Sequence, residues 1–173
     1  MNSIAKISLC SIFFFHFIFP PNARKTEINS ISIPAREILA SENRRDLVEN
    51  TDTTEVEIIT EGIELSYSVT ELQAKSGDIL RIRYINNSDM NHNMVFVREE
   101  ADIRPVGVAA LQAIANDWIP EKEMDRIFAY SKLAHSGDTV EFSFKVPPPG
   151  TYPYICTYSA HWTQMQGRLI STE

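Results

Sequence analysis

Near the C-terminus the chain reads YICTYSAHWTQMQG (residues 154–167), and this stretch decides how the rest of the sequence is interpreted. It places a thiol (Cys156), an imidazole (His161) and a thioether (Met165) within one strand-to-loop turn. Soft sulfur donors combined with imidazole favour copper over the hard cations. The stretch therefore predicts three of the ligands of a copper site.

A thiolate, two imidazoles and a weak axial methionine form the donor set of an electron-transfer copper site, so one imidazole is still missing. The best source is His92, which lies far upstream in the sequence Asn91-His92-Asn93. The intervening chain must then fold back and bring His92 against Cys156 and His161. His135 lies beside a Ser-Gly turn without other donors, and we expect it at the surface.

From Thr54 onward the apolar residues alternate with polar ones, which is typical of strands with one buried face. The predicted strands begin at Val56 and Ile58 and continue at Ile63–Val69, Leu80–Tyr84, Met94–Val97 and residues 140–146, 152–156 and 168–171. Short strands separated by turn signals favour a sandwich or barrel. The fold class expected is all-β.

One segment departs from this alternation of apolar and polar residues. Apolar residues recur at helical spacing from Val108 through Leu111 and Ile114 to Trp118, before Pro120. The spacing predicts one helix inserted into the β domain, with these residues packed against the sandwich.

The first residues have the three-part plan of a secretory signal peptide: Lys6, an apolar run from Ile7 to Phe19, and a polar segment ending at Ala23. The run is shorter than the roughly 20 residues that a membrane span needs, so cleavage is preferred over a retained anchor. We expect three parts: a signal peptide (1–23), a polar linker that could be disordered (24–51) and a β domain (52–173).

Export leaves Cys156 as the one cysteine of the mature chain, because Cys10 lies inside the signal peptide. An exported thiol without a partner is exposed to oxidation unless it is buried or bound to metal. The formal net charge of −7 makes nucleic acid an improbable partner and suits a basic protein. The sequence contains no Ser/His/Asp order, glycine-rich phosphate loop or Cys-x2-Cys pattern, which argues against an enzyme.

With His92 at a strand start and Cys156-x4-His161-x3-Met165 near the C-terminus, the sequence resembles the cupredoxins, and among them most closely the azurin type. The segments 89–93, 131–133 and 137–142 also look like azurin, and the likeness covers roughly residues 55 to 171. The resemblance implies a Greek-key β-sandwich or barrel with one helical insert.

The same resemblance implies roles for individual residues. His92, Cys156 and His161 would be equatorial copper ligands and Met165 the long axial contact. The backbone carbonyl of Asn91 would be a weak further contact, at a position where azurin has glycine. Asn93 and Thr157 would connect the two ligand loops and form hydrogen bonds near the cysteine sulfur.

The function expected is that of an exported, periplasmic type 1 copper protein that carries one electron by cycling Cu(I) and Cu(II). Its partners would be redox proteins such as a c-type cytochrome or a reductase, and a membrane only if the N-terminal segment is retained. His161 would be the electron port, and Trp162 would offer docking area or a stacked route. The alternative is a periplasmic copper-binding protein or chaperone without electron transfer; a third reading is a zinc-binding or metal-free interaction module.

Overall fold

The computed structural model describes residues 51–173, so the predicted signal peptide (1–23) and nearly all of the predicted linker (24–51) lie outside the described residues. Within the described part, eight strands and one α-helix follow one another along the chain. They are β1 (Thr53–Gly62), β2 (Glu71–Lys75), β3 (Ile79–Ser88), β4 (Val95–Val97), α1 (Ile103–Ala110), β5 (Ile127–Tyr130), β6 (Thr139–Lys145), β7 (Gly150–Ile155) and β8 (Gln166–Thr172). Short 3-10 segments include Tyr158–Thr163.

The strands form two sheets. The first has the order β1-β3-β6, with β1 and β3 parallel and β3 and β6 antiparallel. The second has the order β2-β8-β7-β4-β5, in which β2 and β8 are parallel and the other neighbours are antiparallel. The prediction of an all-β domain with one helical insert is confirmed.

The main core lies between the two sheets. Ile58, Leu80, Ile82 and Tyr84 from the first sheet form one buried cluster with side chains of the second sheet. The second sheet contributes Leu72, Met94, Phe96, Tyr154 and Leu169. Ring contacts of Phe96 with Phe142 and Phe144 join the layers, and Phe96 also contacts Tyr154 within the second sheet. Two half-buried faces have therefore been packed against each other, as the alternation predicts.

A second core lies on the opposite face of the larger sheet. Val95 and Val97 of β4 alternate with Phe96 and with Met94, which directly precedes the strand, and all four are fully buried because each face of this strand is covered. The cover over Val95 and Val97 is α1, which contributes Ile103 and Val106. The helix insert thus packs on the sheet that leads into the Cys156 loop.

Two local predictions are wrong. The segment Ile63–Val69 alternates like a strand but forms a loop after Gly62, and the Ile63 side chain is 78% exposed. The edge strand that pairs with β8 comes later, at Glu71–Lys75. Leu65, Tyr67 and Val69 still pack on the main core, so the period-two pattern identifies the buried side of this segment but not ladder pairing.

The second wrong prediction concerns the bounds of the helix. It spans Ile103–Ala110 rather than 108–118, and its buried residues are Ile103, Val106, Gly107 and Ala110. Val108, Leu111 and Ile114, which were expected to pack on the sandwich, are 47%, 41% and 62% exposed. Pro105 lies in the first turn of the helix, where its missing N–H has no intrahelical partner to lose.

Candidate metal centre

Four predicted ligand residues come from two loops at one end of the sandwich. His92 lies between β3 and β4, where its backbone pairs with Ala134 through two hydrogen bonds of 3.0 and 2.8 Å. Below it, the buried Asn86 side chain donates to the carbonyls of Met90 (2.7 Å) and Ala134 (2.9 Å). The His92 loop is thus fixed by the neighbouring backbone on both sides.

The other loop begins where β7 ends. The Cys156 N–H donates to the Met165 carbonyl (3.0 Å), and the Met165 N–H donates to the His161 carbonyl (2.8 Å). These bonds close the turn that carries all three residues. Ser159 and Ala160 lie within it at φ of 45° and 67°, a left-handed conformation that costs non-glycine residues roughly 1–3 kcal/mol each.

Three donor atoms converge between the loops. Cys156 Sγ lies 3.6 Å from His92 Nδ1 and 3.7 Å from His161 Nδ1, and the two nitrogens are 3.2 Å apart. The point equidistant from these three atoms lies about 2.0 Å from each, close to the metal–nitrogen lengths of protein sites. The donor set of one thiol and two imidazoles, converging on that point, fits a soft metal ion such as copper.

The site is dry. His92, Cys156 and Met165 are fully buried, and His161 keeps 8% of its surface exposed. His92 Nε2 is buried without a hydrogen-bond partner among the described residues. His161 is thus the only one of these four residues that reaches solvent.

Burial controls the protonation of all three groups. It lowers the pKa of His92 to about 4, with a further contribution from His161, and it also lowers the pKa of His161. Both imidazoles are therefore neutral at pH 7 and offer lone pairs. Burial raises the pKa of the Cys156 thiol to about 12, against backbone hydrogen bonds from Asn93 and Tyr158 that lower it. A coordinating cation removes that proton, because it supplies the missing positive charge.

Asn93 and Thr157 connect the two loops. The Thr157 N–H donates to Asn93 Oδ1 (2.8 Å), and Asn93 Nδ2 donates to Thr157 Oγ1 (2.9 Å). The Thr157 hydroxyl donates in turn to the Trp118 carbonyl (2.8 Å), and Asn93 Nδ2 also lies 3.3 Å from the Asp117 carbonyl. Asp117 and Trp118 have φ of 51° and 63°, so the end of the helical insert is shaped to present these carbonyls.

The remaining predicted residues lie as follows. Asn91 is partly buried beside His92, and His135 is exposed, as expected. Trp162 is partly buried: its indole nitrogen is enclosed, and its ring packs against the second core, which includes residues of α1. Its role as docking area or as a stacked route stays a prediction.

An aromatic series near the site was not foreseen. Trp118 meets Tyr158 edge to face at 5.1 Å, and Tyr158 meets His161 at 5.2 Å between ring centroids. Trp118 and Tyr158 are 40 residues apart, and no local pattern predicts their contact.

Among the described residues there is no helix long and apolar enough to cross a membrane.

Comparison with known proteins gives consistent matches over the domain. The model of the family "Copper binding proteins, plastocyanin/azurin family" matches residues 54–171. Auracyanin-A of Chloroflexus aurantiacus is 38% identical over 120 residues, which are 66% of this chain and 72% of that protein. Azurin of Pseudomonas fluorescens biotype C is 30% identical over 82 residues, 45% of this chain and 62% of the azurin.

The solved structure of auracyanin A, described as a "blue" copper protein from a green thermophilic photosynthetic bacterium, superposes with a TM-score of 0.66 at 37% identity. The match covers 69% of this chain and 99% of that one. The auracyanin matches this chain over a longer stretch and at higher identity than the azurin does. Loop spacing alone therefore does not rank the relatives.

Proposed function

Because the chain belongs to the plastocyanin/azurin family of copper-binding proteins, we propose that it is an exported type 1 copper protein that carries single electrons between redox proteins. The proposal includes cleavage of residues 1–23 as a signal peptide, a linker over 24–51 and a periplasmic β domain over 52–173. It describes a carrier rather than an enzyme, with a c-type cytochrome or a reductase as the class of partner.

One observation carries the proposal: Cys156 Sγ and the Nδ1 atoms of His92 and His161 converge in a buried triangle with edges of 3.2 to 3.7 Å. In this proposal these three residues would hold the copper ion, Met165 would be a fourth, weaker donor, and the Asn91 carbonyl would be a weak further contact. The copper would supply reversible one-electron chemistry between Cu(I) and Cu(II).

The protein's own residues keep the ligand geometry constant. Two loops joined by Asn93 and Thr157, on a sandwich with a continuous core, resist rearrangement when the charge of the site changes. Small rearrangement favours fast electron exchange. Burial of His92, Cys156 and Met165 excludes water, and backbone hydrogen bonds from Asn93 and Tyr158 stabilise negative charge on the sulfur. The partly exposed edge of His161 is the electron port.

The alternative role, a copper-binding protein or chaperone that hands its metal on, requires ligands that a partner can reach. Three of the four proposed ligands have no exposed surface, and the fourth has 8%. This enclosure favours retention of the metal and exchange of electrons.

Addition of Cu(II) to the purified domain tests the proposal. We expect an intense thiolate-to-copper band in the visible spectrum and narrow copper hyperfine splitting in the electron paramagnetic resonance spectrum. Cys156→Ser should abolish the band, whereas Met165→Gln should keep the colour and shift the reduction potential. A colourless or ordinary tetragonal Cu(II) product would contradict the site, and an unchanged potential in Met165→Gln would contradict the axial role.

A further inference from the structure

The helix α1 touches the ligand loop through a residue without a side chain. A Cβ placed on Gly107 would overlap with Cγ, Cδ2 and Cε2 of the Trp162 indole, far inside the 3.0 Å that real Cβ atoms keep. Gly107 is fully within the helix and has ordinary helical backbone, so conformational freedom does not explain glycine here. The explanation is space, because the helix backbone lies directly on the indole ring.

Trp162 is held from several sides. Its ring packs with the second core, which also contains Val106 of α1 and Ile155 of β7. Its Nε1 is buried without a hydrogen-bond partner among residues 51–173, so packing rather than polar bonding places the ring. Its carbonyl accepts a hydrogen bond from Gln166 Nε2 (2.6 Å).

The position of this ring bears on two of the proposed ligands. Trp162 follows His161 directly, and Ile155, in the same cluster, precedes Cys156 directly. The backbone between them includes the left-handed Ser159 and Ala160, a conformation that the sequence does not favour by itself. Contacts outside the loop must therefore hold it in place.

We propose that Gly107 is a positioning residue for the metal loop: its missing side chain lets α1 seat Trp162, and this seat fixes the backbone of His161 relative to Cys156. The inference rests on the proposed copper site, although the contact itself exists without the metal. Neither Gly107 nor Trp162 is a proposed ligand, and both act through the backbone of the loop.

The test compares Gly107→Ala with two control variants of the same helix. Val108→Ala changes an exposed neighbour, and Val106→Ala weakens the same core without adding an atom beneath the indole. In the copper-free protein, NMR measures hydrogen exchange of the Trp162 indole N–H, assigned against a Trp118→Phe variant. In the copper-loaded protein, the visible spectrum, the copper hyperfine splitting and the reduction potential are measured.

We expect Gly107→Ala to accelerate exchange of the Trp162 indole N–H at least tenfold and to alter the spectrum and the potential of the copper-loaded protein. Val108→Ala should change none of these quantities. A folded Gly107→Ala protein with unchanged indole exchange and an unchanged copper spectrum would overturn the inference. So would an equal spectral change in Val106→Ala, because general loosening of the core would then suffice.

Trp162→Leu provides the second route if Gly107→Ala does not fold. It removes the ring that a Cβ would meet, and we expect it to change the copper spectrum by itself; a wild-type spectrum would refute the positioning role. In the Trp162→Leu background, adding Gly107→Ala should cause little further change, since contacting residues give non-additive effects. If the wild-type protein shows no type 1 copper spectrum, the proposed function fails, while indole exchange still decides whether Gly107 seats Trp162.

Discussion

At the scale of single residues, burial shifts the pKa values of the imidazoles and of the thiol in opposite directions. The imidazoles of His92 and His161 are neutral because burial lowers the pKa of both groups, which leaves their lone pairs free. The same burial raises the pKa of the Cys156 thiol to about 12, so the sulfur keeps its proton until a cation replaces it. Metal binding at this site must therefore displace a proton from sulfur and none from nitrogen.

This difference predicts the number of protons released. Between pH 7 and 8, copper binding to the metal-free protein should release about one proton per ion, because Cys156 alone changes protonation. Titration calorimetry in buffers of different ionisation enthalpy measures this number. The His92→Asn variant should still release about one proton on any binding that Cys156 supports. A value near three for the wild-type protein would show that both imidazoles are protonated before binding, against the assignment made here.

The side chain of Asn93 contributes to the stability of the fold. Its amide accepts from the buried Thr157 N–H and donates to the Thr157 hydroxyl. Asn93→Ala leaves that N–H buried without a partner, so we expect the free energy of unfolding to fall by about 2–3 kcal/mol. Urea denaturation of the metal-free protein measures the change. The exposed Asn87 of β3 is the matched control, and a similar loss in Asn87→Ala would remove the argument.

The donor residues are the part of the site that the sequence predicts best. Cysteine, histidine and methionine at a fixed spacing identify a donor set because few structural roles require that combination. The orientation of each imidazole, with Nδ1 inward, depends on two loops meeting and has no local signal. Trp162 shows the limit, because the helix backbone that covers part of its ring lies more than 50 residues earlier in the chain and leaves no local signal.

At the scale of elements, alternation predicts which side chains are buried better than it predicts pairing. Tyr67 is buried as its pattern requires, yet it lies in a loop, where its hydroxyl donates to the Asn93 carbonyl (2.7 Å). The strand at that edge of the sheet, beside β8, is Glu71–Lys75, whose two buried residues are too few to stand out in the sequence. Pairing is a tertiary property, because an edge strand needs only a neighbour with free backbone groups.

Two valines of α1 differ in burial and so show which face of the helix packs on the sheet. Val106 is fully buried in the second core, while Val108 is 47% exposed two residues later. Val106→Ala should lower the free energy of unfolding by about 2 kcal/mol through lost burial and the resulting cavity. Val108→Ala should change it by less than about 0.5 kcal/mol, as is usual at surface positions. Thermal and urea denaturation measure both, and the reverse order would restore the phase predicted from the sequence alone.

At the scale of the whole molecule, the negative charge belongs to the β domain. Residues 52–173 contain 18 acidic and 10 basic side chains, whereas residues 24–51 contain equal numbers of each. Several charges pair on the outer face of the smaller sheet, as in Arg81 with Glu55 and Arg83 with Glu57. The sandwich therefore has a negative long-range field, while the sequence neighbours of His161, residues 157–167, carry no acidic or basic side chain other than His161 itself.

This field should act on any soluble electron donor or acceptor that approaches the small exposed part of His161. For two small redox complexes of similar size and driving force, the cationic one should exchange electrons roughly tenfold faster than the anionic one at low ionic strength, because the domain attracts it. Stopped-flow absorbance of the copper band measures both rates. The difference should shrink towards unity near 1 M salt, where the Debye length is about 3 Å. Equal rates at low salt would mean that the charge lies too far from the port to steer a partner, and a basic redox protein would then lose its electrostatic rationale.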